Sequence, residues 1–383
     1  MHTVRQITIP HMGNLAIGVK AAVEDLGLNV ILPPRPSKRT LDLGVFHSPE
    51  FVCFPLKVNV GNFIEAAELG ADTILMAGGV GPCRFGYYAQ LQREILFDAG
   101  YEVDMVLLEP PQGKVSELLR LIRDLSGGKP WSRIWRALRF GWEKFKALDD
   151  LDRAANKVRH LEAEGGTTQS RLEQAVSMVD AAGTMEAIKR ALSDGIEAIG
   201  SVPRCPESKR KGLRVGIVGE VYMILEPFAN QRLVQQLGEL GAEVESAIYI
   251  SDWMRSNLFL KTLRVSDRDH VEQAAKPYLN YFVGGDGLES VGETVNYSSR
   301  GFDGVIQVAP FTCMPELVAE SILPLVSKDL SIPVLTLVLD EHSGEAGLRT
   351  RLEAFIDLLH HRKLHRGTSD SAKGQTKALN AIG

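Results

Sequence analysis

A chain of 383 residues with 44% hydrophobic side chains is long enough for two domains and apolar enough to fill their cores, which excludes a disordered or fibrous protein. Its formal charge of -5, from 43 basic and 48 acidic residues with both signs interspersed, gives no global electrostatic case for nucleic acid. Four cysteines are too sparse for a disulfide scaffold, leaving metal binding, catalysis or plain burial as their uses.

The stretch Met1-His2-Thr3-Val4-Arg5-Gln6-Ile7 lacks the apolar core of a signal peptide, and no run of about 18 apolar residues occurs. Both features predict a cytoplasmic protein with no membrane insertion. Residues 5–10 read as a strand, 15–23 as a helix closed by Gly27, and 29–32 as a strand stopped by Pro33-Pro34, which makes a βαβ unit. The pattern repeats with a helix over 62–69, a strand over 72–77, a helix over 87–99 and a strand over 102–108. Residues 1–112 are therefore expected to form one doubly wound α/β domain.

Residues 113–211 form a charged helical segment that ends in a linker. Within it Trp131, Trp135, Leu138, Trp142 and Phe145 recur at helical spacing, which predicts one apolar face packed on the protein's own domain and a solvated basic face. A basic helix for a membrane surface or a partner is the alternative. Cys205 lies in the polar stretch 201–211 and reads as a linker residue.

A second α/β domain is expected over 212–365, with strands at 213–218, 243–249, 304–309 and 332–339. Its helices start at Asn230, which reads as a cap, and span 314–326 and 345–362. Residues 366–383 have the composition of a flexible tail. The predicted fold is two doubly wound, Rossmann-like domains with parallel sheets, joined by a helical segment.

Three cysteines stand where strands are expected to end, in Phe51-Val52-Cys53-Phe54-Pro55, Gly81-Pro82-Cys83-Arg84-Phe85-Gly86 and Pro310-Phe311-Thr312-Cys313-Met314-Pro315-Glu316. Open α/β sheets bind ligands outside the carboxyl ends of their strands, so these cysteines could meet in a cleft between the domains. A nucleophilic cysteine would want a base, for which His11 and His342 are the reachable candidates. A structural zinc site could form from dispersed ligands, although no local CxxC or histidine pair marks one. Burial alone would not ask for cysteine beside Pro or Gly in polar turns. A [4Fe-4S] cluster with three cysteine ligands suits the residues better, and Lys57, Arg84 and helix amino termini could supply the positive surroundings thiolates prefer.

Glu220, at the end of a strand, could contact substrate or serve as a hydrogen-bonded loop carboxylate. Glu316 reads as ordinary helix-start chemistry, and Gly284-Gly285-Asp286-Gly287 as a loop rather than a phosphate site.

The three cysteine loops, together with Gly219-Glu220-Val221-Tyr222 and Glu226-Pro227-Phe228-Ala229-Asn230, resemble motifs of proteins related to 2-hydroxyacyl-CoA dehydratase subunits, also described as CoA-enzyme-activase-related proteins. The resemblance implies that Cys53, Cys83 and Cys313 bind a [4Fe-4S] cluster between two α/β domains, reduced by an ATP-hydrolysing activase on a separate chain. It further implies low-potential electron transfer or reductive radical dehydration of a CoA thioester. A non-catalytic scaffold or metallochaperone holding a cluster or zinc is the alternative, and an oligomer is compatible with either.

Overall fold

The structure is a computed structural model that describes residues 5–79, 82–108, 115–206, 212–256 and 269–379, with 115–118 and 366–379 described by their backbone only. Val80 and Gly81 of the second cysteine loop, residues 207–211 of the expected linker and the last four residues lie outside the described residues.

Two four-stranded, all-parallel sheets carry the fold. The first holds β1 (Gln6–Thr8), β2 (Asn29–Val30), β3 (Thr73–Ala77) and β4 (Asp104–Leu108) in the order β2-β1-β3-β4. The second holds β5 (Leu213–Gly219), β6 (Ala242–Ser246), β7 (Gly304–Pro310) and β8 (Val334–Leu339) in the same order, β6-β5-β7-β8. The α/β class and paired parallel sheets expected from the sequence are thus the observed architecture. β7, buried along its whole length, shows why such strands read as unbroken apolar runs: helices cover both faces of a parallel sheet.

The first sheet is flanked by α1 (Leu15–Asp25), α2 (Lys38–His47), α3 (Phe54–Glu68) and α4 (Tyr88–Asp98). The helical segment contains α5 (Val115–Leu125), α6 (Trp131–Arg159), α7 (Thr167–Ala181) and α8 (Met185–Gly200). Around the second sheet come α9 (Val221–Leu225), α10 (Leu233–Glu239), α11 (Ile250–Met254), α12 (Asp269–Ala275), α13 (Gly287–Ser299) and α14 (Met314–Leu330). The last helix, α15 (Glu345–Leu379), is described past the Arg362 end expected from the sequence. Among the described residues no helix is long and apolar enough to cross a membrane.

α3 departs from the helix expected over 62–69. It starts at Phe54, not Asn62, and residues 54–66 are all buried. Leu56, Val60, Phe63 and Ile64 pack in the first domain's core, whereas Phe54 and Val58 belong to the core of the second sheet. A helix buried on every side has no polar stripe, so the helical period is invisible over its first two turns. The expectation that Cys53 follows a strand is corrected by the same observation: the chain reaches it from α2 through a turn, and Cys53 is the N-cap of α3.

The tryptophan-rich helix also differs from expectation. Ile134, Ala137, Phe145 and Leu148 are buried, but Trp135 is 62% exposed and Trp131 and Leu138 are also exposed, so the aromatic residues do not form one buried face. The contact with α1 is made by Phe145, whose ring lies against Gly18, and by a close approach of small residues: a Cβ on Gly141 would lie 2.5 Å from the Gly18 carbonyl oxygen. Part of the basic side works internally, since Arg133 donates to the Asp25 carbonyl and buried Lys144 donates to that of Asp180 at 2.7 Å.

Candidate functional site

In both sheets the strand order reverses direction between the first and third strands, and a crevice opens at such a point outside the carboxyl ends. In the second sheet the strands flanking the reversal lead to Glu220, directly after β5, and to Cys313, three residues after β7. In the first, β3 leads to Cys83. Cys83 and Cys313 therefore occupy equivalent places in two sheets of one design, and Cys53 joins them at the start of the helix shared by both cores.

All three cysteines are helix N-caps with extended backbone: Cys53 before α3, Cys313 before α14, and Cys83 before a short 3-10 turn, Arg84–Tyr87, that runs directly into α4. Pro55 and Pro315 occupy the first turns of α3 and α14, where a missing N–H costs nothing. The positive ends of these helices consequently face the thiols.

Arg84 ties the three loops together. Its guanidinium donates to the Phe51 carbonyl at 3.3 Å, in the Cys53 loop, and to the Thr312 carbonyl, in the Cys313 loop. Thr312 adds a hydroxyl contact to Phe51 O at 3.5 Å. Its φ of 65° is a left-handed conformation costly for a β-branched residue, and such strain persists only where the surroundings enforce it. Arg84 was expected only as a source of positive charge, so this bridging role is new.

Cys53 and Cys313 are buried and Cys83 is half-buried. Burial pushes the Cys53 thiol up to about 12, with Glu220 and Cys83 adding to the rise and Tyr88 opposing it. It raises Cys313 further, helped by Glu220, Glu316 and Cys53, and raises Cys83 along with Glu220 and Asp286. The N–H groups of Leu56, Phe85 and Glu316 pull the other way, one on each thiol, without overcoming burial. Cys53 thus interacts electrostatically with both other cysteines, and Glu220 with all three.

Of its two expected roles, Glu220 takes that of a hydrogen-bonded loop carboxylate. Its Oε2 accepts from Met223 N at 3.0 Å as the N-cap of α9, and burial followed by the charge of Asp286 pushes its carboxyl up to about 7. Glu316 is more than helix-start chemistry: it is fully buried, accepts from Ser290 Oγ and from Gln307 Nε2 at 2.9 Å, and is pushed up to about 8, mainly by burial. Asn230, expected to start and cap the next helix, lies instead in the turn before α10, whose N-cap is Arg232; it accepts from Leu233 N at 3.2 Å and donates to Met223 O at 2.8 Å.

The glycine turn is a wall of this site. Gly284 and Gly285 both have positive φ, and a Cβ on Gly285 would come within 3.9 Å of the Cys83 sulfur and 3.1 Å of Pro315. Asp286 in the same turn accepts from Val221 N at 3.1 Å, joining it to the Glu220 loop. Sequence spacing carried no signal for this contact, because the turn lies about 200 residues beyond Cys83.

The other candidates have different partners. His11 Nε2 is 2.8 Å from the Pro33 carbonyl oxygen, and exposed His342 donates its backbone N–H to Asp340. Lys57 is buried and forms an ion pair with Glu341. Cys205 donates its N–H to Leu161 O at 2.7 Å, in the helical segment. Two open grooves, of about 770 and 550 Å³, sit beside Arg5 and Tyr101 and beside Arg153 and Tyr249.

Among the described residues no three His, Cys, Asp or Glu side chains gather around a single point as one metal ion requires. A lone zinc would hold its sulfurs about 2.3 Å from a common centre. A cubane cluster is a larger body whose cysteine ligands bind separate irons, so its three thiols need not converge on one point. The donor set fits that group chemically: three soft sulfurs, helix amino termini facing them, and glycines where a side chain would crowd Cys83. Iron binding would displace the thiol protons that burial retains.

No protein-family model matches the chain, and no curated protein matches it. The resemblance of the cysteine loops therefore rests on the residues themselves.

Proposed function

We propose that this chain is an iron-sulfur protein in which Cys53, Cys83 and Cys313 hold a [4Fe-4S] cluster, serving low-potential electron transfer or the reductive radical dehydration of a CoA thioester. The observation that carries the reading is the Arg84 bridge, because one side chain joins the loops of all three cysteines although they lie up to 260 residues apart in sequence (313 minus 53). When bound, such a cluster supplies one-electron chemistry at an iron that no cysteine occupies. This chain's own residues would do the rest. Three thiolates anchor, the helix amino termini offset part of their charge, and Glu220 would face the substrate from the end of β5. The resemblance of the motifs adds a separate ATP-hydrolysing activase as electron source, and four cysteines in so long a chain suit a reducing, cytoplasmic setting.

Substitution of the cysteines tests the reading. After anaerobic reconstitution, Cys53→Ser, Cys83→Ser and Cys313→Ser should each bind less iron than wild type, since a hydroxyl is a poorer iron ligand than a soft thiolate, while Cys205→Ser binds the wild-type amount. Equal iron in all four variants would overturn the ligand assignment. Full iron binding without turnover of any 2-hydroxyacyl-CoA thioester, in the presence of activase and ATP, would favour a non-catalytic scaffold or metallochaperone.

A further inference from the structure

Tyr88 is buried at the first position of α4, and its hydroxyl meets the sulfur of Cys53. The ring is delivered by the second cysteine loop and the sulfur by the first. Phe85 packs against the ring edge-on, with centroids 5.6 Å apart at 66°. Both aromatic residues share one apolar cluster with Cys53, Leu56 and Phe63, so the phenol is held against the sulfur by packing on either side. A phenol is a donor as well as an acceptor, and a thiolate can only accept. The contact therefore becomes an O–H···S hydrogen bond once Cys53 is a ligand.

The geometry points to Tyr88 as a positioning residue that makes electron uptake at the three-cysteine site easier. The inference rests on the cluster reading above. Donation to a ligand sulfur withdraws negative charge, and the reduced state, with one more electron, gains more from this than the oxidised state does. The step is one electron from a chemical reductant such as dithionite: one unit of negative charge is added, no covalent bond forms or breaks, and the phenol keeps its proton. Removing the hydroxyl should make reduction harder while the ring still fills its place.

The test uses the full chain, anaerobically reconstituted, in a potentiometric titration followed by electron paramagnetic resonance. Tyr88→Phe should bind the wild-type amount of iron, with its midpoint shifted negative so that the reduced-to-oxidised ratio at a fixed potential falls about fivefold, the size of one ordinary hydrogen bond. Tyr87→Phe, a change at the exposed neighbour, should leave the midpoint where it is. An unchanged midpoint in Tyr88→Phe at equal iron content would overturn the inference, as would loss of iron, which would make Tyr88 a structural support. Failure of the wild type itself to bind iron would instead bring down the cluster reading, and is recognised without either variant.

Discussion

At helix N-caps Ser, Thr, Asp and Asn are the usual residues because their oxygens accept from free backbone N–H groups, yet this chain puts cysteine there three times, so that the N–H groups of Leu56, Phe85 and Glu316 meet only a weakly accepting sulfur. Helix stability does not explain that choice, and soft sulfur at three helix starts is what the proposed cluster would use. The carboxylates make a separate demand on the fold. Asp152 on α6 is pushed up to about 7 by burial and by Asp149, against the opposing pull of Arg159, Asn14 and Arg153. In the unfolded chain it would lose its proton near 4, so between about pH 4 and 7 the folded state holds a proton that the unfolded state does not. Stability must then fall as pH rises through that window. Asp152→Asn should lose less stability than wild type between pH 5 and pH 8 in urea unfolding, by no more than about 3 kcal/mol. Parallel curves would show that Asp152 is not held neutral. The comparison with wild type matters because Glu220 and Glu316 shift in the same sense.

Among the elements, those with a distinct face or a sharp boundary were legible. β7 begins at Gly304 and reads as β-branched and apolar, and α14 begins at Met314 and Pro315 after its cysteine cap, so the expected limits lie close to the observed ones. α3 was only half legible because two cores bury it on all sides, and the positions of Trp131 and Trp135 were misjudged because their periodicity does not say where the packing partner ends. The site divides in the same way. The cysteines stood out by their Pro and Gly neighbours, but the Tyr88 contact, the Arg84 bridge and the wall formed by Gly285 join distant segments and left no local pattern. The α1–α6 contact gives a direct check on the packing. Gly141→Val would press a side chain into the Gly18 carbonyl and the Ala22 methyl and should cost about 1–3 kcal/mol. Gly200→Ala, where no atom lies within 4 Å of the new Cβ, should be neutral or stabilising by up to about 1 kcal/mol. Equal effects in thermal unfolding would contradict the close approach of the two helices.

At the scale of the whole molecule, two sheets of identical strand order are joined by α3, which contributes to both cores, and by polar links across the junction. Gly13 N donates to buried Glu226 at 2.8 Å, and Lys57 pairs with Glu341. These links hold the loops after β3, β5 and β7 beside the start of α3, which is what three cysteines from three loops need if they are to serve one centre. The measurement that tests this most directly is the iron and sulfide content of the full chain after anaerobic reconstitution, read together with the electron paramagnetic resonance spectrum of the dithionite-reduced protein. About four irons and four sulfides per chain, with the signal of a single reduced cluster, is the predicted result. A chain that retains neither iron nor sulfide while its thiols are fully reduced would contradict the assignment of Cys53, Cys83 and Cys313 as cluster ligands.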